Sequence, residues 1–439
     1  MKQYLLNLQM SEGYNKIRYK LSKMFYKWGI LNEERRKSLI RFNNSLKSML
    51  VQQQNVFEGM NIRYFGPIDG HDVNNLARVL KEIKDMQGPK LLHIHTTKGK
   101  GFGPAEKAAT IWHAPGIFDK ETGERIVIDT DGLPPLFQDV FGNTLLELAQ
   151  QNDKIVGVTP AMPSGCSMNI LMKAMPDRGF DVGIAEEQAA AMASGIAKNG
   201  GKPFWGVYSS FLQRTYDQLS QDVCINQSAV TISVFAASVF GMNDVTHLGI
   251  YDIPMISNIP NLVYLAPVTV EDYQAMLDWA LDQNEHPVAI RVPAQYVSDG
   301  KAVTKDFGEL NRYEVTQQGS GVAILALGSF YHLGVAAAEK IREKTGTAPT
   351  VINPYYITGQ DTALLEQLKA DHKVVITLED GILDGGFGEK IARFYGDSAV
   401  KTKCFGLKKE FLDRYNVQEV LKENHLTAEQ IADDVSEML

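Results

Sequence analysis

The chain has 439 residues, 44% of them hydrophobic, and a formal net charge of −8 at pH 7. This length supports two or three domains with substantial cores, and the negative charge argues against nucleic acid as the main partner. No stretch approaches the ~18 uninterrupted apolar residues of a membrane span, and the opening residues lack the apolar core of a signal peptide. The three cysteines, Cys166, Cys224 and Cys404, are scattered without metal-ligand spacing, which indicates reduced thiols in a cytoplasmic protein.

The first fifty residues differ from the rest in being basic, with eleven Lys and Arg against three Glu. Such a segment is typical of a basic arm or of a transit-like sequence. However, Tyr14, Ile17, Leu21 and Phe25 follow helical spacing, which favours a solvated amphipathic helix. A nucleic-acid-binding function rests on this segment alone, and the acidic chain as a whole argues against it.

The segment up to residue 137 reads as two blocks. Residues 1–120 hold amphipathic helical segments, a helix near 72–86 and a buried strand at 90–96. Residues 121–137 are polar and contain two glycines and two prolines, so they are interpreted as a linker.

From 138 to 297, strands and helices alternate, which predicts a mostly parallel, buried sheet with helices on both faces. The predicted strands are 154–158, 180–184, 203–209, 229–235, 262–266 and 288–292, and the predicted helices lie near 136–152, 187–199, 211–226 and 270–283. The alternation resumes from 312 to 439, with strands predicted at 321–327, 350–354, 374–379 and 400–405. The predicted fold class is therefore α/β, with two domains of this type in succession.

The first candidate site residue is Glu186, an acid that follows an apolar strand at the mouth of a helix of small residues. One βα unit later, Tyr208, Phe211 and Arg214 lie close together. A partly desolvated carboxylate beside an aromatic platform suits an aminopyrimidine ring, such as that of thiamine diphosphate. The alternative is that Glu186 simply stabilises the start of the helix, where acids are favoured. The pattern leaves both interpretations open.

Several long and unusual sequence strings point to one family. They are Tyr64-Phe-Gly-Pro-Ile-Asp-Gly-His-Asp72, Thr97-Lys-Gly-Lys-Gly-Phe102, Pro104-Ala-Glu-Lys107 and Trp112-His-Ala114. From about Ser11 to the C-terminus, the chain resembles the 1-deoxy-D-xylulose-5-phosphate synthase family of transketolase-like thiamine diphosphate enzymes. The resemblance implies thiamine-diphosphate-binding domains with mostly parallel sheets, in which 1–120 is a remnant of the N-terminal diphosphate-binding domain and 138–297 is the pyrimidine-binding domain. It also implies a transketolase-type C-terminal α/β domain at 312–439. It also implies decarboxylation of pyruvate and condensation with an aldehyde, which is glyceraldehyde 3-phosphate in the family. The family's product, 1-deoxy-D-xylulose 5-phosphate, feeds isoprenoid, thiamine and pyridoxal biosynthesis.

The resemblance further implies roles for individual residues. Glu186 would activate the aminopyrimidine nitrogen, and His113 and His247 would move protons during the donor and acceptor steps, a task that suits imidazole. The residues implied to bind the cofactor, besides Glu186, are Lys98, Phe102, Tyr208 and Phe211. For Phe211, burial in an ordinary core remains the alternative.

The expected magnesium site departs from the family pattern. The family holds the diphosphate of the cofactor through Mg²⁺, ligated by an Asp in a Gly-Asp-Gly motif and by a later Asn, and oxygen ligands of this kind suit the ion. This chain has no such motif, since Asp69-Gly70 belongs to a different string. We therefore expect no metal ligands on this chain and expect the diphosphate half-site to precede residue 1. Two alternatives follow: an enzyme, or a truncated or split subunit that supplies only the pyrimidine half. Either a homodimer or a complementing N-terminal subunit is expected.

The acceptor site departs as well. Ala236 and Ala294 stand where the family has two arginines that hold the acceptor's phosphate. The polar residues available to replace them are Arg214, Arg291 and Asn243. In the C-terminal block, the Gly-rich turn at 385–388 lacks a dinucleotide-binding pattern, and a role in dimer contacts and domain docking is the expectation.

Overall fold

A computed structural model of the chain describes residues 56–126, 132–298, 300, 303 and 305–439, together with single positions between 17 and 28. The chain divides into two compact units, Met1–Thr130 and Asp131–Leu439. Most of the predicted basic helical segment lies outside the described residues, and so do residues 127–131 of the predicted linker.

The first unit contains a small parallel sheet. Its strands are β1 (Arg63–Asp69) and β2 (Lys90–His95), and its helices are α1 (Val56–Gly59), α2 (Val73–Ile83) and α3 (Gly103–Lys107). Helix α2 connects the two strands, and the Asp72 side chain caps it by accepting the N–H of Asn75 at 3.0 Å. The predicted helix and the predicted strand at 90–96 both form, but the expected burial of that strand is wrong. Strand β2 is half-buried over its first three residues and exposed over its last three, since β1 is its only neighbour in the described sheet. Strand β1 was missed because it contains Gly66 and Pro67, two residues that are disfavoured inside strands.

The second unit begins with a six-stranded parallel sheet in the order β4-β3-β5-β6-β8-β7. The strands are β3 (Ile155–Thr159), β4 (Gly179–Asp181), β5 (Lys202–Tyr208), β6 (Thr231–Ala237), β7 (Val263–Leu265) and β8 (Val288–Pro293). The helices are α4 (Phe137–Gln151), α5 (Asn169–Ala174), α6 (Glu186–Lys198), α7 (Tyr216–Gln218), α8 (Asp252–Ile256) and α9 (Val270–Asp282). The central strands β6 and β8 are buried along their whole length, as expected for a parallel sheet covered on both faces.

The unit continues with a five-stranded sheet in the order β13-β12-β10-β11-β9. The strands are β9 (Glu314–Gln317), β10 (Gly321–Ala326), β11 (Thr350–Asn353), β12 (His372–Ile382) and β13 (Lys401–Leu407). The helices are α10 (Tyr331–Thr345), α11 (Thr362–Leu368), α12 (Phe387–Tyr395), α13 (Val417–Glu423) and α14 (Ala428–Ser436). Only β9, at the sheet edge, pairs antiparallel among the strands described. The α/β fold class with mostly parallel sheets is confirmed.

Two predicted elements differ from the structure beside the candidate site. The strand predicted at 180–184 ends at Asp181, because the Asp181 carboxylate accepts the N–H groups of Ala161 and Gly183 at 2.8 and 2.9 Å and closes a turn. The helix predicted at 211–226 is instead a composite: a 3₁₀ segment (Ser209–Thr215), the short helix α7 and a π segment (Leu219–Cys224). Irregular helices of this kind often occur at functional sites.

A buried ion-pair cluster connects the two sheets of the second unit. Arg291 of β8 donates from Nε to Asp252 at 2.7 Å and also bonds Asp380 of β12. Burial by itself lowers the pKa of Arg291, but the carboxylates of Asp252 and Asp380 outweigh burial and raise it. Since Arg291 is only 3% exposed, these two carboxylates, rather than water, stabilise its buried positive charge.

The Gly-rich turn at 385–388 is fixed by hydrogen bonds to the side chain of Glu379. The Glu379 carboxylate is fully buried and accepts the N–H groups of Phe387 and Gly388 at 2.8 and 2.7 Å. The donors at the start of α12 are therefore occupied within the domain. The expected role in dimer contacts and domain docking stays a prediction.

All three cysteines carry free thiols. Burial raises the pKa of Cys224 to about 12 and also raises the pKa values of Cys166 and Cys404. At pH 8 a thiol with such a pKa is only about one part in 10⁴ thiolate, the form that reacts. Cys166 and Cys224 are buried, whereas Cys404 is only partly buried. We therefore expect Cys166 and Cys224 of the native chain to react with a thiol reagent such as DTNB at least about 100-fold more slowly than in the unfolded chain, which should expose three thiols. Rapid native labelling of more than one thiol would contradict the burial described.

Within the described residues, no helix combines the length and the apolar composition needed to cross a membrane.

Candidate cofactor-binding site

The Glu186 carboxylate lies at the first residue of α6 and is 3% exposed. A carboxylate at this position interacts favourably with the positive end of the helix dipole. Arg214, on the composite helical segment, donates from Nη1 to Glu186 Oε2 at 3.2 Å. The other oxygen, Oε1, has no partner among the described residues. Glu186 therefore begins the helix, as one interpretation required, and also keeps an acceptor for a ligand.

Three aromatic rings lie in series beside this segment. Tyr208 and Phe211 stack with ring centroids 5.7 Å apart and planes 28° apart. Phe211 then meets the His247 ring edge-to-face at 5.3 Å. Phe211 is half-buried rather than enclosed in the core, and burial raises the pKa of the Tyr208 hydroxyl. The arrangement leaves a partly accessible aromatic surface close in sequence to Arg214, the partner of Glu186.

The same segment carries polar groups that lack partners. The hydroxyls of Ser209 and Ser210 and the amide oxygen of Gln218 are buried without a hydrogen bond in the described part of the chain. Buried polar atoms usually have a hydrogen-bond partner, so these unpaired atoms indicate that a bound ligand or another chain supplies the missing hydrogen bonds. A carboxylate, an aromatic face and spare polar groups fit the aminopyrimidine part of thiamine diphosphate.

His247 ends a loop that follows β6. Its Nδ1 lies 2.7 Å from Thr246 Oγ1, and Thr246 in turn bonds the Asp244 carboxylate. Hydrogen bonds from the side chain and backbone of Thr246 hold the pKa of Asp244 below its usual value. His247 is one-third exposed, so its ring remains accessible.

In the first unit, Lys98 and His113 are brought together. Lys98 Nζ lies 2.6 Å from His113 Nδ1, and both side chains are exposed. Phe102 packs edge-to-face on Trp112 with centroids 4.9 Å apart, which fixes the Gly-rich turn beside the segment that carries His113.

Asn243 and Arg291, two of the residues expected to replace the acceptor arginines, differ in exposure. Asn243 is exposed, and its backbone carbonyl accepts the Arg414 N–H at 2.6 Å. Arg291 is buried with all three of its nitrogens engaged, the third on Gly249 O and Asp252 at 3.3 Å. Arg291 therefore stabilises the fold, and its nitrogens are already engaged by protein partners rather than available to a substrate.

Ala294 lines a cavity of about 740 Å³ between the two sheets of the second unit. Ser298, Ser329 and His332 are polar residues of its wall, and among the described lining residues only His332 could carry a positive charge. Ala236 lies at the end of β6, buried and in a left-handed backbone conformation with φ of 51°.

Comparison with known proteins assigns the family. A 1-deoxy-D-xylulose-5-phosphate synthase profile matches residues 1–96, a transketolase pyrimidine-binding-domain profile matches 135–298, and a transketolase C-terminal-domain profile matches 311–431. The 1-deoxy-D-xylulose-5-phosphate synthase of Phocaeicola vulgatus is 57% identical over 427 residues, covering 96% of this chain and 67% of the relative. The enzyme of the same name from Bacteroides thetaiotaomicron is 45% identical over 98% of the chain and 68% of its own length.

The chain belongs to the 1-deoxy-D-xylulose-5-phosphate synthase family. It spans about two thirds of the length of these relatives.

Solved structures agree with the fold of this family. A chain described as "Split gene transketolase, inactive beta4 tetramer" aligns with a TM-score of 0.61 at 25% identity, covering 69% of this chain and 97% of that one. A transketolase from Pichia stipitis aligns at 0.58 and 16% identity, which supports the fold alone. Among the described residues, no group of three or more His, Cys, Asp or Glu side chains is placed to hold a metal ion.

Some residues around the family's site were missed from sequence. Asp244 and Thr246 support His247, and Asp413 and Tyr415 support its loop by bonding Val245 N at 3.2 Å and Val239 O at 2.8 Å. Asp244 and Thr246 could have been found from the spacing Asp-x-Thr-His. The contacts from Asp413 and Tyr415 span more than 160 residues and leave no local signal.

Proposed function

We propose that the chain acts as a 1-deoxy-D-xylulose-5-phosphate synthase-type transferase, which decarboxylates pyruvate with thiamine diphosphate and condenses the product with an aldehyde. The observation that supports this best is the buried Glu186 carboxylate, whose Oε2 binds Arg214 while Oε1 has no partner among the described residues, together with the stacked rings of Tyr208 and Phe211. The long identity to the Phocaeicola vulgatus enzyme supports the same reaction class. We further propose a cytoplasmic enzyme that assembles as a homodimer.

In this proposal, the cofactor supplies the carbanion chemistry needed to decarboxylate a 2-oxo acid. Glu186 holds the pyrimidine nitrogen through Oε1, while Arg214 fixes the carboxylate by its other oxygen. Phe211 stacks on the pyrimidine ring, and Tyr208 supports Phe211 from behind. His247 would handle protons beside this half-site. For Lys98, Phe102 and His113 we keep the roles that the family resemblance implies, cofactor binding for the first two and proton transfer for His113. Mg²⁺ accompanies the diphosphate, and no described residue is assigned as its ligand.

The direct test of this function is product formation. The purified chain should convert ¹³C-labelled pyruvate and an aldehyde into a labelled 1-deoxyketose, detected by NMR, only when thiamine diphosphate and Mg²⁺ are present. Labelled acetate or unchanged pyruvate with every aldehyde would contradict a synthase activity of this chain.

The acceptor site yields a prediction of its own, because Ala294 replaces a phosphate-binding arginine of the family and its cavity holds little positive charge. Replacing Ala294 with Arg should lower the KM for glyceraldehyde 3-phosphate by about tenfold or more, since a charge-assisted hydrogen bond contributes about 1.5–3 kcal/mol. The KM for unphosphorylated glyceraldehyde should not fall. Ala294→Met, which adds bulk without charge, is the matched control, and an equal gain in both variants would contradict the electrostatic explanation.

A second candidate function is a split subunit that is inactive alone, and the split-gene transketolase neighbour favours it, because 97% of that chain aligns. In this case the chain supplies the pyrimidine half-site and a second polypeptide supplies the diphosphate half. Adding the separately produced N-terminal third of the Phocaeicola vulgatus relative should then raise turnover from background by at least about 100-fold, within the range of enzymatic rate gains. Full activity of the purified chain alone would exclude this alternative.

A further inference from the structure

The imidazole of His247 stands at the end of a short chain of hydrogen bonds. Its Nδ1 lies 2.7 Å from Thr246 Oγ1, and the Thr246 hydroxyl bonds Asp244 Oδ1. The same carboxylate oxygen also accepts the Thr246 N–H at 2.9 Å. Asp244, Thr246 and His247 therefore form one relay, closed within four residues.

The proton positions in this relay follow from what each group can do. An ionised carboxylate only accepts hydrogen bonds, so the single proton of the Thr246 hydroxyl points to Asp244. The Thr246 oxygen must then accept from the imidazole, which places a proton on His247 Nδ1. The neutral ring consequently has its lone pair on Nε2.

His113 has the opposite surroundings. Its Nδ1 lies 2.6 Å from Lys98 Nζ, and an ammonium group only donates hydrogen bonds. Nδ1 of His113 is therefore the acceptor, and the proton of the neutral ring sits on Nε2.

We infer that Thr246 and Asp244 are positioning residues that hold His247 as a proton acceptor at Nε2, and that Lys98 holds His113 as a donor at Nε2. At His247, the O–H bond of a substrate-derived hydroxyl breaks, its electron pair stays on the oxygen as an alkoxide, and the proton forms an Nε2–H bond. The ring becomes an imidazolium that still bonds Thr246. At His113, the Nε2–H group donates a hydrogen bond to a negatively charged oxygen and keeps its proton. The use of these rings in catalysis rests on the proposed function, but the two tautomers are properties of the chain alone.

The relay stands on a loop that is fixed independently of it. Asn243 O accepts the Arg414 N–H at 2.6 Å, Val245 N donates to Asp413 at 3.2 Å, and the Tyr415 hydroxyl donates to Val239 O at 2.8 Å. These contacts surround the relay without touching the imidazole. They allow the loop to keep its position when the Thr246 hydroxyl is removed.

The test is ¹⁵N NMR of the full chain labelled at its nine histidines, recorded near pH 8.5, where imidazoles in general are neutral. The His247 and His113 signals are assigned by loss in His247→Gln and His113→Gln. We expect a protonated Nδ1 for His247 and a protonated Nε2 for His113. Thr246→Val should shift the tautomer ratio of His247 by up to about tenfold, as expected for the loss of one hydrogen bond between neutral groups. Thr246→Ser should restore the wild-type spectrum.

Three outcomes would overturn the inference. They are an unprotonated Nδ1 in wild-type His247, an unchanged ratio in Thr246→Val, and an equal change in Asp413→Ala, which disturbs the loop anchor without touching the relay. A chain without turnover that keeps both predicted tautomers would contradict the proposed function and leave the inference intact.

Discussion

Replacing Glu186 with glutamine is expected to lower pyruvate turnover by about 10²–10⁴-fold, the range for losing a positioned acid–base group. Glutamine keeps the shape of the side chain but cannot ionise, so it cannot share a proton with a ring nitrogen. Among the described residues, the buried carboxylate pairs with Arg214 through one oxygen, which leaves the other for this task. The measurement is the steady-state rate of pyruvate consumption with thiamine diphosphate, Mg²⁺ and an aldehyde.

Glu187 provides the matched control for this substitution. It follows Glu186 in the first turn of α6 but is exposed, so Glu187→Gln removes an equal charge from the same helix end. We expect its turnover to stay within about fivefold of wild type, because an exposed charge near a helix terminus contributes at most about 1 kcal/mol. Equal activity of the two variants would remove Glu186 from the mechanism.

Replacing Arg291 with methionine is expected to destabilise the second unit by about 3–5 kcal/mol, the cost of removing one partner from a buried ion pair. The substitution leaves Asp252 and Asp380 buried and facing each other without the guanidinium that neutralises them. The measurement is the free energy of unfolding from urea denaturation followed by circular dichroism.

Arg312 provides the control for stability. It pairs with Asp361 at 3.3 Å, but its side chain is 55% exposed. Arg312→Met should cost about 1 kcal/mol or less, because solvent screens such pairs. If the free energy of unfolding falls no more in Arg291→Met than in Arg312→Met, the buried cluster does not stabilise the packing of the two sheets.

The sheets were predictable because their strands are apolar runs bounded by turn residues. Strands β6 and β8 are buried throughout, so their composition alone identified them. The composite segment from Ser209 to Cys224 was not predictable in this way. Its apolar spacing is compatible with an ordinary helix, and the switch to 3₁₀ and π geometry depends on tertiary packing.

The candidate site was only partly predictable for a similar reason. The proximity of Glu186 and Arg214 follows from successive βα units, whose strand ends meet at one edge of a parallel sheet. Arg291, by contrast, was expected to bind substrate. Its partners Asp252 and Asp380 are 39 and 89 residues away, so the local sequence around Arg291 does not predict these contacts.

The central claim is that Glu186 and Phe211 form the aminopyrimidine half of a thiamine diphosphate site, and calorimetric titration of thiamine diphosphate with Mg²⁺ into the purified chain tests it most directly. We expect saturable binding that weakens by about 2–12-fold in Phe211→Ala, since an aromatic pair contributes about 0.5–1.5 kcal/mol. Phe180→Ala, at a partly exposed phenylalanine on β4, should bind like wild type. Absence of binding, or equal affinity in Phe211→Ala and wild type, would contradict the claim.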